Sequence, residues 1–357
     1  MADAQAIPVV PARTGVRDAG IDVARGVAIV AIVLGHVLRG DAAAGLVSGT
    51  DAVFDELDTA LYLFHLPVFA IAAGLFVGPS LERSGRSTYL RRRLLLFGWL
   101  YLLWSLIQGL VKLATSALVN TPTTPGGIVG ELLAPQSQLW WFGFLTTVTL
   151  AAAAVRPWRG GWPLALSAVA AVLVSLARWG DQGTILFLQG LGLTAFFWWA
   201  TSTGQRGWGL VRRHALPVFL VGLAVAGVLV VVTDPMPPTT WSGPPDRAAL
   251  ATGVVASVAA TAAVLAGSAM LRPGSVQRLL ALLGRRSLEI FLAHIVATAG
   301  MRAVLIRLGV TELLPQLVLG TIAGVVFPLA LWWVSQRVGA TWLFATPSRR
   351  SPMETLG

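Results

Sequence analysis

The chain has 357 residues, 55% hydrophobic and only 12% charged, against about 25% charged in a soluble domain, and its mean hydropathy of +0.74 and repeated long apolar runs mark a polytopic membrane protein. Cysteine is absent and only His36, His65, His214 and His294 supply imidazole, so disulfides, thiolate metal sites and acyl-cysteine chemistry are excluded and no metal centre is expected. The net charge of +10 would point to nucleic acid in a soluble chain, but these arginines sit in short segments between apolar runs, where they encode topology, so no nucleic-acid partner is expected.

Residues 1–19 read as a flexible cytoplasmic tail rich in Pro, Ala and Val, with Arg13 and Arg17. The first apolar run, D-V-A-R-G-V-A-I-V-A-I-V-L-G-H from Asp22 to His36, carries an acid and an arginine at one end and an imidazole at the other. Asp22 and Arg25 within it argue against a secretory signal. Arg25 and His36 are eleven residues apart, three helical turns plus about 20°, so both lie on one face about 16 Å apart along the axis. Asp22, three residues before Arg25, shares that face and can pair with it. Each charge within a bilayer costs about 2.5–3.5 kcal/mol on the insertion scale, so the stripe requires a reason.

About ten transmembrane helices are predicted, at 21–38, 59–78, 94–117, 138–155, 162–178, 183–201, 215–233, 248–270, 288–306 and 312–336. With the N-terminus inside, the outer side holds only Arg39, Arg178, Arg247 and Arg307, while Arg25, Lys112 and Arg302 fall within spans. The other arginines, from Arg13 and Arg17 to Arg349 and Arg350, lie inside. Asp41, Asp51, Asp55, Glu56 and Asp58 gather in the first outer loop. This asymmetry predicts an all-α protein with both termini cytoplasmic. Residues 20–337 form a single transmembrane domain in this reading, followed by a cytoplasmic C-terminal tail at 338–357. The outer loops at 119–137 and 234–247 carry no clear motif. Trp140-Trp141, Trp198-Trp199 and Trp332-Trp333 read as interfacial belts, and His214 as a solvated loop residue.

In this topology His65, about two turns into the second span, comes to the depth of His36. Pro67 frees a backbone carbonyl nearby for a ligand or water. Glu289 opens the ninth span near the depth of Asp22 and Arg25, with His294 about a turn and a half deeper. Plainer roles exist for each group: interfacial hydrogen bonding for His36, satisfaction of freed backbone for His65, a structural ion pair for Asp22–Arg25, and a topology anchor for Arg91, Arg92 and Arg93.

The same residues carry a resemblance. The R-x10-H spacing from Arg25 to His36, F-H-L-P-V-F-A-I-A-A-G-L-F at 64–76, the basic opening T-Y-L-R-R-R at 88–93, L-W-W-F at 139–142 and S-L-E-I-F-L-A-H at 287–294 are together similar to the acyltransferase 3 family. Those proteins are integral-membrane O-acyltransferases of cell-surface polysaccharides and related acceptors. The resemblance implies a multi-pass acyltransferase of the cell (inner or plasma) membrane, with acyl-CoA as co-substrate (acetyl-CoA first among the candidates) and no bound cofactor. It implies as acceptor a hydroxyl of a glycan, a lipid-linked sugar or a small metabolite.

On that reading Arg25, supported by Asp22 and by Arg91, Arg92 and Arg93, holds the donor phosphates, since guanidinium donates paired hydrogen bonds and stays charged. A neutral imidazole near pKa 6.5 is well matched to deprotonating a hydroxyl, which makes His36 the candidate general base, with His65 orienting it or the acceptor. An acyl-histidine intermediate fits the residues equally. Glu289 and His294 are candidates for polar support. A transporter or flippase using the Asp22–Arg25–His36 stripe for translocation is the alternative, and it predicts flux without acyl-CoA consumption.

Overall fold

The computed structural model describes residues 18–47, 52–115, 124–132, 138–181, 185–241, 243 and 246–347. The residues expected in the tails, Arg13, Arg17, Arg349 and Arg350, lie outside the described residues, as does Asp51. Among the described residues the structure is all-helical and contains no strand. The helices are α1 (Ala19–Ala43), α2 (Ala52–Gly74), α3 (Val77–Ser84), α4 (Arg86–Ala114), α5 (Pro125–Glu131), α6 (Trp140–Val155), α7 (Gly161–Ala177), α8 (Thr194–Arg213), α9 (Ala215–Val232), α10 (Arg247–Met270), α11 (Ser275–Arg285), α12 (Ser287–Arg307) and α13 (Leu313–Arg337).

Seven helical segments are long and apolar enough to cross a membrane: α1, the Phe54–Ser84 run through α2 and α3, α4, α9, α10, α12 and α13. The other predicted spans depart from that measure for identifiable reasons. α6 and α7 have 16 and 17 residues. The span expected at 183–201 starts as a helix only at Thr194, because Gly190 adopts a positive φ of 79° and residues Leu191–Leu193 form a single tight turn. α8 then continues to Arg213 through a break at Gly204, whose φ of 54° and ψ of −138° interrupt the helix.

The centre of the bundle is α1, which packs against α2, α10, α11, α12 and α13. Its start is fixed by Asp18, whose carboxylate accepts from Gly20 N at 2.9 Å and from the Trp208 indole of α8 at 2.5 Å, the side-chain cap that an unpaired helix N-terminus requires. Between apolar helices in lipid, association depends on close van der Waals packing at small residues. The crossing of α1 and α11 shows this: a Cβ on Gly26 would collide with the Leu280 carbonyl, and one on Gly284 with the Asp22 carbonyl. α11 lies in the segment after Met270 that the sequence reading left as an inner loop. It buries Ala281, Leu283 and Gly284 while Val276, Leu279 and Leu282 stay exposed, so apolar residues occupy both its packed and its open face.

At the other end of α1 the buried Asp41 carboxylate lies 4.0 Å from the Arg302 guanidinium of α12. Gly40 clears the room that this guanidinium occupies. Asp41, expected in the first outer loop, thus lies within α1, and it faces the in-span cation Arg302, the usual arrangement for membrane charges. The loops around 179–181 and 234–241 interlock: Trp179 Nε1 donates to Met236 O at 2.8 Å, Gly180 N to Pro238 O at 3.1 Å and Trp241 N to Gly180 O at 3.0 Å. The first residues after α13 fold back on α4, with the Trp99 and Trp104 indoles donating to the Trp342 and Leu343 carbonyls at 2.8 Å each. The tryptophan pairs are not a uniform belt. Trp140, Trp141 and Trp198 are buried in the core, whereas Trp199 and Trp333 are exposed.

Candidate active site

The stripe read from the sequence is a real face of α1, and neighbouring helices complete it at both ends. At the first end Arg25 donates to Ser287 Oγ of α12 at 2.7 Å and lies 3.9 Å from the buried Asp22. The backbone contact of Gly26 and Gly284 holds α11 against this turn, and α12 begins directly after α11, so Ser287 is delivered to Arg25 by that crossing. Sequence reasoning missed Ser287. Its signal was present as the first residue of S-L-E-I-F-L-A-H, but nothing in the linear pattern pairs it with a residue 262 positions away.

A cavity of about 250 Å³ opens beside this pair. Arg25, Tyr89, Arg93, Thr149 and Ser287 are its polar lining residues, and Ala72, Ala73, Phe97, Trp141, Phe142 and Phe291 are among its apolar lining. α4 brings Arg93 to the cavity, with the guanidinium 5.6 Å from the Tyr89 ring. Arg91 and Arg92, grouped with Arg93 in the sequence, are exposed and line no part of it, because three consecutive helical residues point 100° apart. Glu289 turns to Arg286 at 3.1 Å instead of facing the cavity, and Arg286 in turn stacks 3.5 Å over the Trp332 ring.

Along α1 the cavity lining reaches Ile32, and along α12 it reaches Phe291. The next turn of each helix carries a histidine. The His36 and His294 rings lie 5.1 Å apart at 53°. His294 is fully buried, and its Nδ1 lies 3.0 Å from Ile290 O and 2.8 Å from Phe291 O. Bonding to two carbonyl acceptors requires Nδ1 to carry the proton, which leaves Nε2 as a lone-pair acceptor. That nitrogen is buried with no hydrogen-bond partner. A buried unsatisfied acceptor is costly.

His65 of α2 is within electrostatic range of His36, but its ring packs on Tyr62 at 4.5 Å and its Nδ1 lies 2.6 Å from Leu61 O. The imidazole in ring contact with His36 is therefore His294, which the sequence placed only as polar support. The carbonyl freed by Pro67 is not open for a ligand: Leu63 O accepts the Ser257 hydroxyl of α10 at 2.5 Å. Outward from His36, Arg39 makes a bidentate pair with Asp58 at 2.8 and 2.6 Å and stacks 3.5 Å from the Tyr62 ring centroid. His214 takes no part, closing α8 as its C-terminal cap. No cluster of potential metal ligands occurs among the described residues.

Arginine and serine at one end of the cavity and imidazoles beyond the other make a chemically polarised arrangement. No curated protein and no solved structure matches the chain. A family model described as an acyltransferase domain matches residues 18–333, which takes in α1 with its arginine and histidine, the cavity helices and nearly all of α13. With that match spanning well over half of the sequence, this multi-pass membrane protein belongs to the acyltransferase 3 family.

Proposed function

We propose that the protein moves an acyl group, acetyl first among the candidates, from cytoplasmic acyl-CoA to a hydroxyl of a cell-surface glycan, glycolipid or metabolite. The observation that carries this reading is the cavity polarised between Arg25 and Arg93 at one end and the His36–His294 pair one turn beyond the other. At about 250 Å³ it falls below the roughly 300–1,000 Å³ of pockets that enclose whole drug-sized ligands. It suits the slender thioester-bearing arm of the donor, with the nucleotide left at the exposed Arg91 and Arg92. In this orientation the Arg25 end faces the cytoplasm, the compartment that supplies acyl-CoA.

His36 removes the acceptor proton as the hydroxyl oxygen attacks the thioester carbonyl. A C–O bond forms, the C–S bond breaks, and the leaving thiolate takes up a proton to give free CoA. His294 acts through His36. Its fixed tautomer presents an acceptor nitrogen, which orients the neighbouring imidazole or its hydroxyl partner. Asp22 and Ser287 hold the Arg25 guanidinium toward the donor. His65, packed on Tyr62, shapes the wall on the acceptor side.

The test is release of CoA from acetyl-CoA by the purified protein in liposomes supplied with an acceptor-rich membrane extract, wild type beside His36→Ala. Release by the wild type and its loss in the variant are expected. Equal release by both removes His36 from the reaction. Absence of turnover in the wild type, with substrate flux intact, transfers the stripe to a translocation role.

A further inference from the structure

Two other cavities meet on the opposite side of α1 and α2. One is an almost wholly apolar groove of about 510 Å³ between α9 and α10, floored by Val23 and Val27 of α1 and by Leu63 and Phe64 of α2. Along α9 it extends from Phe219 to Val231, about 18 Å at 1.5 Å per residue, more than half of a hydrocarbon core about 30 Å thick. The other is a polar pocket of about 470 Å³ lined by Arg39, Asp55, Asp58, Asp234 and Trp241. Val230 and Val231 line both, so the groove ends where the polar pocket begins. On the orientation proposed above, this junction lies at the outer membrane surface, and the pocket backs onto the Arg39–Tyr62–His65 stack beside His36.

We propose that the two cavities form one acceptor site for a long-chain glycolipid with an uncharged polyhydroxyl head, the chain in the α9–α10 groove and the head in the polar pocket. This rests on the acyltransferase reading and selects the lipid-linked class among its acceptors. The carboxylates alone would specify nothing. Their junction with a membrane-depth groove calls for a molecule that is apolar for about 18 Å and polar at one end. Charge complementarity decides which polar end. Arg39 is already engaged by Asp58, and Asp55, Glu56 and Asp234 in the pocket wall have no ion pair among the described residues. The Asp234 carboxyl is raised above its ordinary pKa by partial burial and by the neighbouring Asp55 and Asp246 carboxylates. Crowded carboxylates repel a phosphate head and accept hydrogen bonds from hydroxyls, and Trp241 offers an amphipathic ring face.

Gly227 provides the test, because it lines the groove and a side chain there meets open space. Gly300, on α12 outside the groove, has the same freedom and serves as the control. The full-length protein, in phosphatidylcholine nanodiscs, is photolabelled with an alkyl glucoside carrying a diazirine in its chain, and labelled peptides are mapped. Labelling of α9 and α10 is expected, competed by an unlabelled long-chain maltoside but not by glucose or phosphatidylglycerol. It should fall at least tenfold in Gly227→Phe and persist in Gly300→Phe. Equal competition by phosphatidylglycerol, or unchanged labelling in Gly227→Phe, would make the groove a seat for bulk lipid and overturn the proposal. Competition by glucose at the same concentration as the maltoside would overturn the role of the tail. Labelling needs no turnover, so CoA release reports separately on the acyltransferase reading.

Discussion

The two ends of α1 solve the problem of charge in a membrane in opposite ways. At the Arg25 end the cation is partly exposed, held loosely by Asp22 at 3.9 Å and by one neutral hydroxyl at 2.7 Å, and it faces a cavity. At the far end Arg39 is locked in a bidentate pair with Asp58 and covered by Tyr62, while Arg302 and Asp41 face each other across α1 and α12. A charge already paired to fixed partners has little left for a ligand. The pairing at the far end is structural, and the proposed donor contact lies at the Arg25 end, which faces the cavity, with the histidines between them.

That contrast can be broken from either side. The largest effect is expected at the histidines: His36→Gln should lower the rate of transfer at least 100-fold, the scale of general-base catalysis, with the KM for acyl-CoA unchanged. A KM shift instead would make His36 a donor-binding group. Arg25→Ala should do the reverse, raising the donor KM by about 10–100-fold, as expected for losing a charged hydrogen bond of about 1.5–3 kcal/mol, with Arg25→Lys restoring only part because it lacks the planar fork. An unchanged KM would remove the guanidinium from donor binding. Gly284→Val should drive α11 off α1 at an overpacking cost of about 1–3 kcal/mol. It would appear as a lower thermal midpoint in detergent, and an unchanged midpoint would show that the crossing can relax. Ser287→Ala should be the mildest, raising the donor KM from a few-fold to about tenfold, in line with about 0.5–1.5 kcal/mol for a neutral hydrogen bond. If its effect exceeds that of Arg25→Ala, the serine and not the arginine is the principal contact.

Much of the fold was legible because one physical rule dominates it. In lipid every backbone group must be satisfied within its own segment, so apolar runs become helices, and the predicted edges of α9, α10, α12 and α13 fall close to those observed, whereas α1 continues past its predicted end at 38 to Ala43. The rule was less informative where glycines intervene. Gly190 and Gly204 turned the expected span at 183–201 into a later, broken helix. α11 was missed although its apolar residues recur every three to four positions, because arginines around it drew the segment into the loop count.

Local periodicity alone determined that Asp22, Arg25 and His36 share a face, since helical geometry fixes it whatever surrounds the helix. The tertiary structure decided what that face meets. Ser287 reaches Arg25, His294 stands beside His36 where His65 was expected, and Arg93 alone of its triplet enters the cavity. The first two depend on helix crossings set by glycine contacts between segments more than 200 residues apart, Gly26 and Gly284 above all. A pattern that repeats every 3.6 residues carries no information about such crossings.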